Sequence, residues 1–311
     1  MLAIFITILG HISYGTTNVL WKNPRNEVGT LPLILIRSAC CFLIFFSSYF
    51  ILTGLQIIPK SQFSWIDVMQ TAGICAVNYF GLFFFLQSMK HTQVSNTIGF
   101  GKIGLIIGVA AGYFLYGEEI SALKIFLCIV VLIGVSLIEF SARKKASFLS
   151  KGLLYTVLAK IFWSTAYFYV PFIEKLGPVL FCAVLEFTVF SLSFVLFFFD
   201  PAKLNLRNIS STTKKEIGLL IFLGTLGTFC LNFALANMSI ILFAIIGLIE
   251  PILGLLISKL YHKEHLAQYQ KIGIGLGILS AFILSVTKQK KVPHLSKRDF
   301  IGLNKEVTLR E

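Results

Sequence analysis

Residues 125–138 read IFLCIVVLIGVSLI, fourteen positions without a charge, broken only by Gly134 and Ser136. A strand of a membrane barrel alternates lipid-facing apolar residues with lumen-facing polar ones, and this stretch does not alternate. In hydrocarbon every backbone N–H and C=O needs an internal partner, so a segment that is apolar all round and is not a barrel strand is a helix. Similar runs recur along the chain. Roughly 20 apolar residues carry a helix across a bilayer. Hydropathy places spans near 2–20, 31–53, 65–89, 92–116, 120–140, 152–172, 178–199, 215–237, 239–261 and 266–287. Composition agrees: 56% of residues are apolar and 13% charged, with mean hydropathy +0.84, against about 25% charge in soluble domains. Only 200–214 and the tail 288–311 are clearly polar, so no soluble domain fits beside the spans. The first span has no basic residue before it and no small-x-small cleavage pattern after it, which reads as a retained helix rather than a signal peptide.

The six cysteines all fall inside expected spans and form no CxxC pair, so they read as small apolar residues. The formal net charge of +13 concentrates in loops and in the tail residues Lys288, Lys290, Lys291, Lys297 and Arg298. Beside spans, basic residues mark the cytoplasmic face and anionic headgroups. No aromatic-interleaved platform or recognition helix accompanies them, so nucleic acid is not an expected partner. The charge vote on orientation is divided. With ten spans both termini share a side, and the basic tail puts them inside. Lys22, Arg25, Arg143, Lys144, Lys145, Lys151, Lys203, Arg207, Lys214 and Lys215 then fall outside.

The chain also resembles itself. At a shift of 149 residues, His11-Ile12-Ser13-Tyr14-Gly15-Thr16 falls on Lys160-Ile161-Phe162-Trp163-Ser164-Thr165, and Arg37 falls on Glu186. Phe84, Leu86 and Met89 fall on Phe233, Leu235 and Met238. Gly101-Lys102 falls on Glu250-Pro251, and after a three-residue slip Glu118 falls on Glu264. Five spans per half is an odd number, so two related halves cross the membrane in opposite senses, the inverted-repeat plan of many transporters. The expectation is an all-α integral membrane protein with ten transmembrane helices, arranged as two inverted five-helix repeats around a central cavity. The first repeat covers 1–145, the second 146–287, and a basic polar tail 288–311.

Particular motifs carry a resemblance. Met238-Ser239-Ile240-Ile241-Leu242-Phe243-Ala244, then Glu250-Pro251-Ile252-Leu253-Gly254-Leu255-Leu256, then Lys263-Glu264, resembles the second-half signature of the drug/metabolite transporter superfamily, EamA type. Counterparts are Tyr14-Gly15 and Trp163-Ser164 at the aromatic-small position, Arg37 in span two and Gly117-Glu118 after span four. The chain departs from the pattern at Tyr14, where tryptophan is usual, and at Gly101-Lys102-Ile103-Gly104, which lacks the usual proline. The resemblance covers roughly 1–287. It implies alternating access through a central cavity and transport, often outward, of small polar metabolites such as amino acids, with residence in the cell membrane, the inner membrane if bacterial.

Charges inside spans single out the site. A charged side chain at the bilayer centre costs at least about 2.5–3.5 kcal/mol, so it faces a cavity or a partner. Lys102 and Glu250 are adjacent in the repeat alignment. Either both line the cavity, Lys102 meeting an anionic and Glu250 a cationic substrate group, or they neutralise each other. Pro251 lacks a backbone donor and so leaves carbonyls free one turn earlier. Arg37 and Glu186 are repeat partners, read as coupling or structural charges. His11 is either a satisfied interior histidine or a proton-sensing group, and Lys160 lines the cavity or snorkels to the interface. Tyr14, Asn18, Asn78, Tyr79, Trp163 and Asn232 complete the candidate lining, unless they serve helix packing. Gly104, Gly108 and Gly112 form a close-packing ridge, and Glu118, Glu119 and Glu264 are read as structural carboxylates at helix N-termini.

The expected partners are a small-molecule substrate, the lipid bilayer and a proton or another ion for coupling, with a monomer or homodimer as the unit. No cofactor is expected, and no nucleotide loop or metal-spaced cluster is present in the sequence. An intramembrane enzyme is the alternative, but HExxH and GxSxG are both missing. A channel-like membrane protein is the other alternative, and no selectivity-filter signature is present.

Overall fold

The computed structural model describes residues 2–91, 101–143, 151–199, 209–262 and 268–286. Apolar runs become helices throughout: α1 (Leu2–Leu20), α2 (Lys22–Val28), α3 (Thr30–Gly54), α4 (Trp65–Ser88), α5 (Gly101–Tyr116), α6 (Ala122–Arg143) and α7 (Lys151–Trp163). A 3₁₀ turn over Ser164–Phe168 leads into α8 (Val170–Leu176), followed by α9 (Pro178–Phe198), α10 (Ser211–Asn237), α11 (Ile240–Ile246), α12 (Ile249–His262) and α13 (Gln268–Val286). The basic tail 288–311 and Glu264 lie outside the described residues.

Among the described residues, six segments are long and apolar enough to span a bilayer, counting 240–261 as one, and a seventh is the pair 151–168 and 170–176, bent by 50°. Ile103–Tyr116 and Ile125–Gly134 are shorter apolar helices at two further expected spans, and α13 occupies the last. Phe46, Phe50, Phe194, Phe198 and Phe222 point outward and are well exposed. Apolar helices that stay apolar on their outer faces belong in lipid, and the chain is a multi-pass membrane protein.

Short polar signals set where the helices begin. Ser64 starts α4 with a reciprocal capping box to Asp67. Ser210 starts α10 by accepting from the Thr213 N–H, while Glu27 of α2 accepts from both the N–H and the hydroxyl of Ser210. The backbone N–H of Ser210, foremost among these, holds the Glu27 carboxyl below its usual pKa. Two glycines turn the chain between helices. Gly29 (φ 95°, ψ 164°) ends the short α2 and starts α3; Gly177 (φ 76°, ψ 153°) ends the short α8 and starts α9. That backbone region is open essentially only to glycine.

Helix packing recurs across the two halves. α3 packs on α9 and α6 on α13; α1 packs on α10 as α4 packs on α7; α10 packs on α3 as α4 packs on α9. α5 meets α11 closely. A Cβ added at Gly108 would lie 2.5 Å from Ala244 Cβ, and one at Gly112 would lie 2.6 Å from Ile241 Cγ1, the close approach that small residues permit. Glu118, just beyond α5, does not serve the next helix in the chain. Its carboxylate accepts from the Ile240 and Ile241 N–H groups and from the Ser239 hydroxyl, capping α11 instead. The free donors of a helix start attract a carboxylate from wherever packing brings one.

Candidate functional site

Two interruptions in helices open the centre of the molecule. The path from α11 to α12 turns at Gly247 and Leu248, so Glu250 stands in the first turn of α12 beside Pro251. The Gly247 carbonyl, which Pro251 cannot bond, accepts instead from the Glu250 N–H at 3.2 Å, so the carbonyl expected to be free is taken up locally. The second interruption is the 3₁₀ turn after Trp163. Between them lies a cavity of about 250 Å³. Its wall includes His11, Tyr14 and Asn18 from α1, Arg37 from α3, Asn78 and Tyr79 from α4, Lys160 and Trp163 from α7, Glu186 from α9, Asn232 from α10 and Glu250 from α12. Lys102 stands in the first turn of α5, and its side chain lies outside the described residues.

The wall holds two ion clusters. In the first, Arg37 Nη1 donates to Glu186 Oε2 at 2.9 Å, both side chains almost wholly buried. Thr228 donates to the other Glu186 oxygen at 3.3 Å, and its hydroxyl lies 2.7 Å from the Tyr14 hydroxyl and 3.5 Å from Arg37 Nη2. Asn232 donates to the Thr228 carbonyl at 2.8 Å. Both carboxylate oxygens and both terminal guanidinium nitrogens have a partner here.

The second cluster is less closed. Glu250 accepts from Asn18 Nδ2 at 2.8 Å and meets His11 Nδ1 at 3.2 Å. His11, Tyr14 and Asn18 are spaced three and four apart, so one face of α1 serves both clusters. Glu250 is therefore held by α1, and its expected relation to Lys102 lies outside the described residues. Lys160 does not snorkel outward. Only 9% exposed, it lines the cavity with its ammonium 5.1 Å from the Trp163 ring centroid, a cation–π distance. No carboxylate or other hydrogen-bond acceptor is bonded to it among the described residues.

The remaining candidates have structural ties. Asn78 donates to the Trp163 carbonyl at 3.2 Å and also reaches the Phe162 carbonyl and Thr165, across the bend. The Tyr79 hydroxyl accepts from Ser193 at 3.4 Å. Tyr167 and Phe243 also line the cavity, their rings edge to face with centroids 6.3 Å apart, and neither was expected from the sequence. Tyr167 lies four residues beyond Trp163, a spacing that signals a shared face. Phe243 lies in the Met238–Ala244 motif but carries no charge to mark it. Among the described residues no group of three or more His, Cys, Asp or Glu is arranged to hold a metal.

The cavity sits in a fold already seen. One solved structure, titled only as the crystal structure of a protein, matches with a TM-score of 0.73 over 91% of this chain and 96% of its own, at 12% identity. At that identity the likeness is one of fold. No curated protein sequence matches the chain. The EamA-like transporter family matches it twice, over residues 1–140 and over residues 150–286. With nearly its whole length accounted for by these two matches, the chain belongs to the EamA-like transporter family.

Proposed function

We propose that this protein is a secondary exporter of small zwitterionic metabolites, amino acids foremost, working by alternating access between two inverted five-helix halves. The observation that carries the substrate class is Lys160: a buried ammonium with no acceptor bonded to it among the described residues, in the same cavity as the Glu250 carboxylate. A cation in a membrane interior is costly, and a substrate carboxylate arriving there relieves that cost. Glu250 then takes the substrate's cationic end, while Trp163, Tyr167 and Phe243 offer ring faces to a side chain. Lys102 remains a further candidate for the anionic end.

The repeat reading draws support from helix pairs that exchange under the offset and from Arg37 and Glu186. These two lie 149 residues apart, and they bond to each other. Two equivalent positions that touch lie on the two-fold axis relating the halves. Rocking about that axis exposes the cavity to each side in turn. The outward direction follows the family resemblance.

Counterflow tests the reading. Liposomes holding the purified protein and unlabelled amino acid are expected to take up labelled amino acid from outside. Lys160→Met, Glu250→Gln and Lys102→Ala are each expected to lower the initial rate by about tenfold or more, the scale of one charge-assisted hydrogen bond. Full rates in the Lys160 and Glu250 variants would remove the substrate assignment. Imposed proton or sodium gradients, applied separately, identify any coupling ion.

A further inference from the structure

His11 is 4% exposed, lines the cavity and lies 3.2 Å from Glu250 through Nδ1. An ionised carboxylate only accepts, so Nδ1 carries the hydrogen toward Glu250, and the tautomer with its single hydrogen there has a lone pair on Nε2. That Nε2 is buried and has no hydrogen-bond partner among the described residues. Buried polar atoms are ordinarily satisfied, and an orphan calls for an explanation. The ring is held in place: it tilts against Phe243 with centroids 5.6 Å apart, and its Cε1 edge passes over Gly247, where an added Cβ would come within 3.4 Å. A fixed ring, an Nδ1 held by Glu250 and an unpartnered Nε2 on a residue of the cavity wall together describe half of a hydrogen bond whose other half is absent among the described residues.

We propose that His11 Nε2 is a specificity-determining acceptor that reads a donor on the substrate, the ammonium group of an amino acid. The proposal rests on the zwitterion reading above and adds which atom discriminates. An ammonium has three donors, so one can reach Nε2 while another meets Glu250. A carboxylic acid lacking the amino group keeps its attraction to Lys160 but leaves Nε2 and Glu250 without that donor. Glu250 thus also positions the reader, and Asn18 holds Glu250 from its other oxygen.

The two amide residues separate reading from positioning. Asparagine places a donor where Nδ1 stands and reaches no further, so His11→Asn keeps the Glu250 contact and loses Nε2. Glutamine reaches the Nε2 position with an acceptor oxygen but forgoes the Nδ1 donor. The probes are alanine, leucine, threonine and phenylalanine, each beside the carboxylic acid that lacks its amino group. The readout is the ligand-induced melting shift of the purified protein across a concentration series. The parent protein is expected to prefer the amino acid of at least one pair by about tenfold or more. His11→Asn is expected to bring the two members of that pair level, and His11→Gln to keep part of the preference. A preference undiminished in His11→Asn overturns this inference and leaves the substrate class standing. No stabilisation of the parent by any of the eight compounds brings down both.

A measurement on the parent protein guards against a variant that does not fold. With ¹⁵N-labelled histidine, the Nε2 resonance of His11 is expected to move on adding the preferred amino acid and to stay put with its des-amino partner. A resonance that moves equally with both, or with neither, overturns the proposal.

Discussion

Arg37 with Glu186, and Lys160 with Glu250, are each a cation and an anion on the wall of one cavity, yet the chain treats them differently. The first pair is closed: the guanidinium bonds the carboxylate, and Thr228, Tyr14 and Asn232 occupy the neighbouring lone pairs and donors. The second is left open. Glu250 is steadied by Asn18 and His11, Lys160 rests over an indole ring, and His11 Nε2 has no hydrogen-bond partner among the described residues. Buried charges in a membrane protein therefore divide by how completely they are satisfied. A complete circuit ties helices together, and under the proposed reading an incomplete one takes its partner from the substrate.

The comparison breaks most readily at Arg37. Arg37→Met leaves Glu186 as an uncompensated buried charge and is expected to destabilise the protein by about 3–5 kcal/mol, read as a large drop in melting temperature in detergent. A small drop would mean the first cluster is not the structural one. Crowding the same pair tests its geometry with less force. A Cβ at Gly224 would lie 2.9 Å from both Arg37 Nε and Nη2, and the guanidinium has no slack while Glu186 holds it. Gly224→Ala is expected to cost about 1–3 kcal/mol, the usual range for overpacking. The smallest stability effect is expected at Lys160. Lys160→Met removes a cation with no bonded acceptor among the described residues, so the melting temperature is expected to stay level or rise while transport falls. A fall like that of Arg37→Met would place Lys160 in the closed class and sharpen the boundary the wrong way for the transport reading.

Much of this was legible in the chain. The charge-free run at 125–138 excludes a barrel strand without any neighbour's help. Pro251 beside Glu250 announces a missing backbone donor inside the expected span 239–261. The 149-residue offset aligns Arg37 with Glu186 before any contact between them is known. Other features left no local mark. Glu118 reads as a carboxylate for its own neighbourhood, but it caps α11 in the other half of the chain. Tyr167 and Phe243 are two aromatic residues among many, and only the bend after Trp163 and the turn at Gly247 aim them at one space. Glu250 draws its partners from α1, more than 230 residues away in the chain.

The division has a physical cause. Transfer into lipid is close to a sum over residues, so the sequence alone determines that the chain is a bundle of membrane helices and which of its charges are expensive there. Association between those helices is a different matter. Lipid is as apolar as the side chains, so no hydrophobic force chooses the neighbours, and close contact at small residues together with polar pairing must choose them. Those are properties of two facing surfaces at once. Only the tertiary structure decides that Arg37 finds Glu186, that α1 holds Glu250, and that Lys160 and His11 stand on the wall of one cavity.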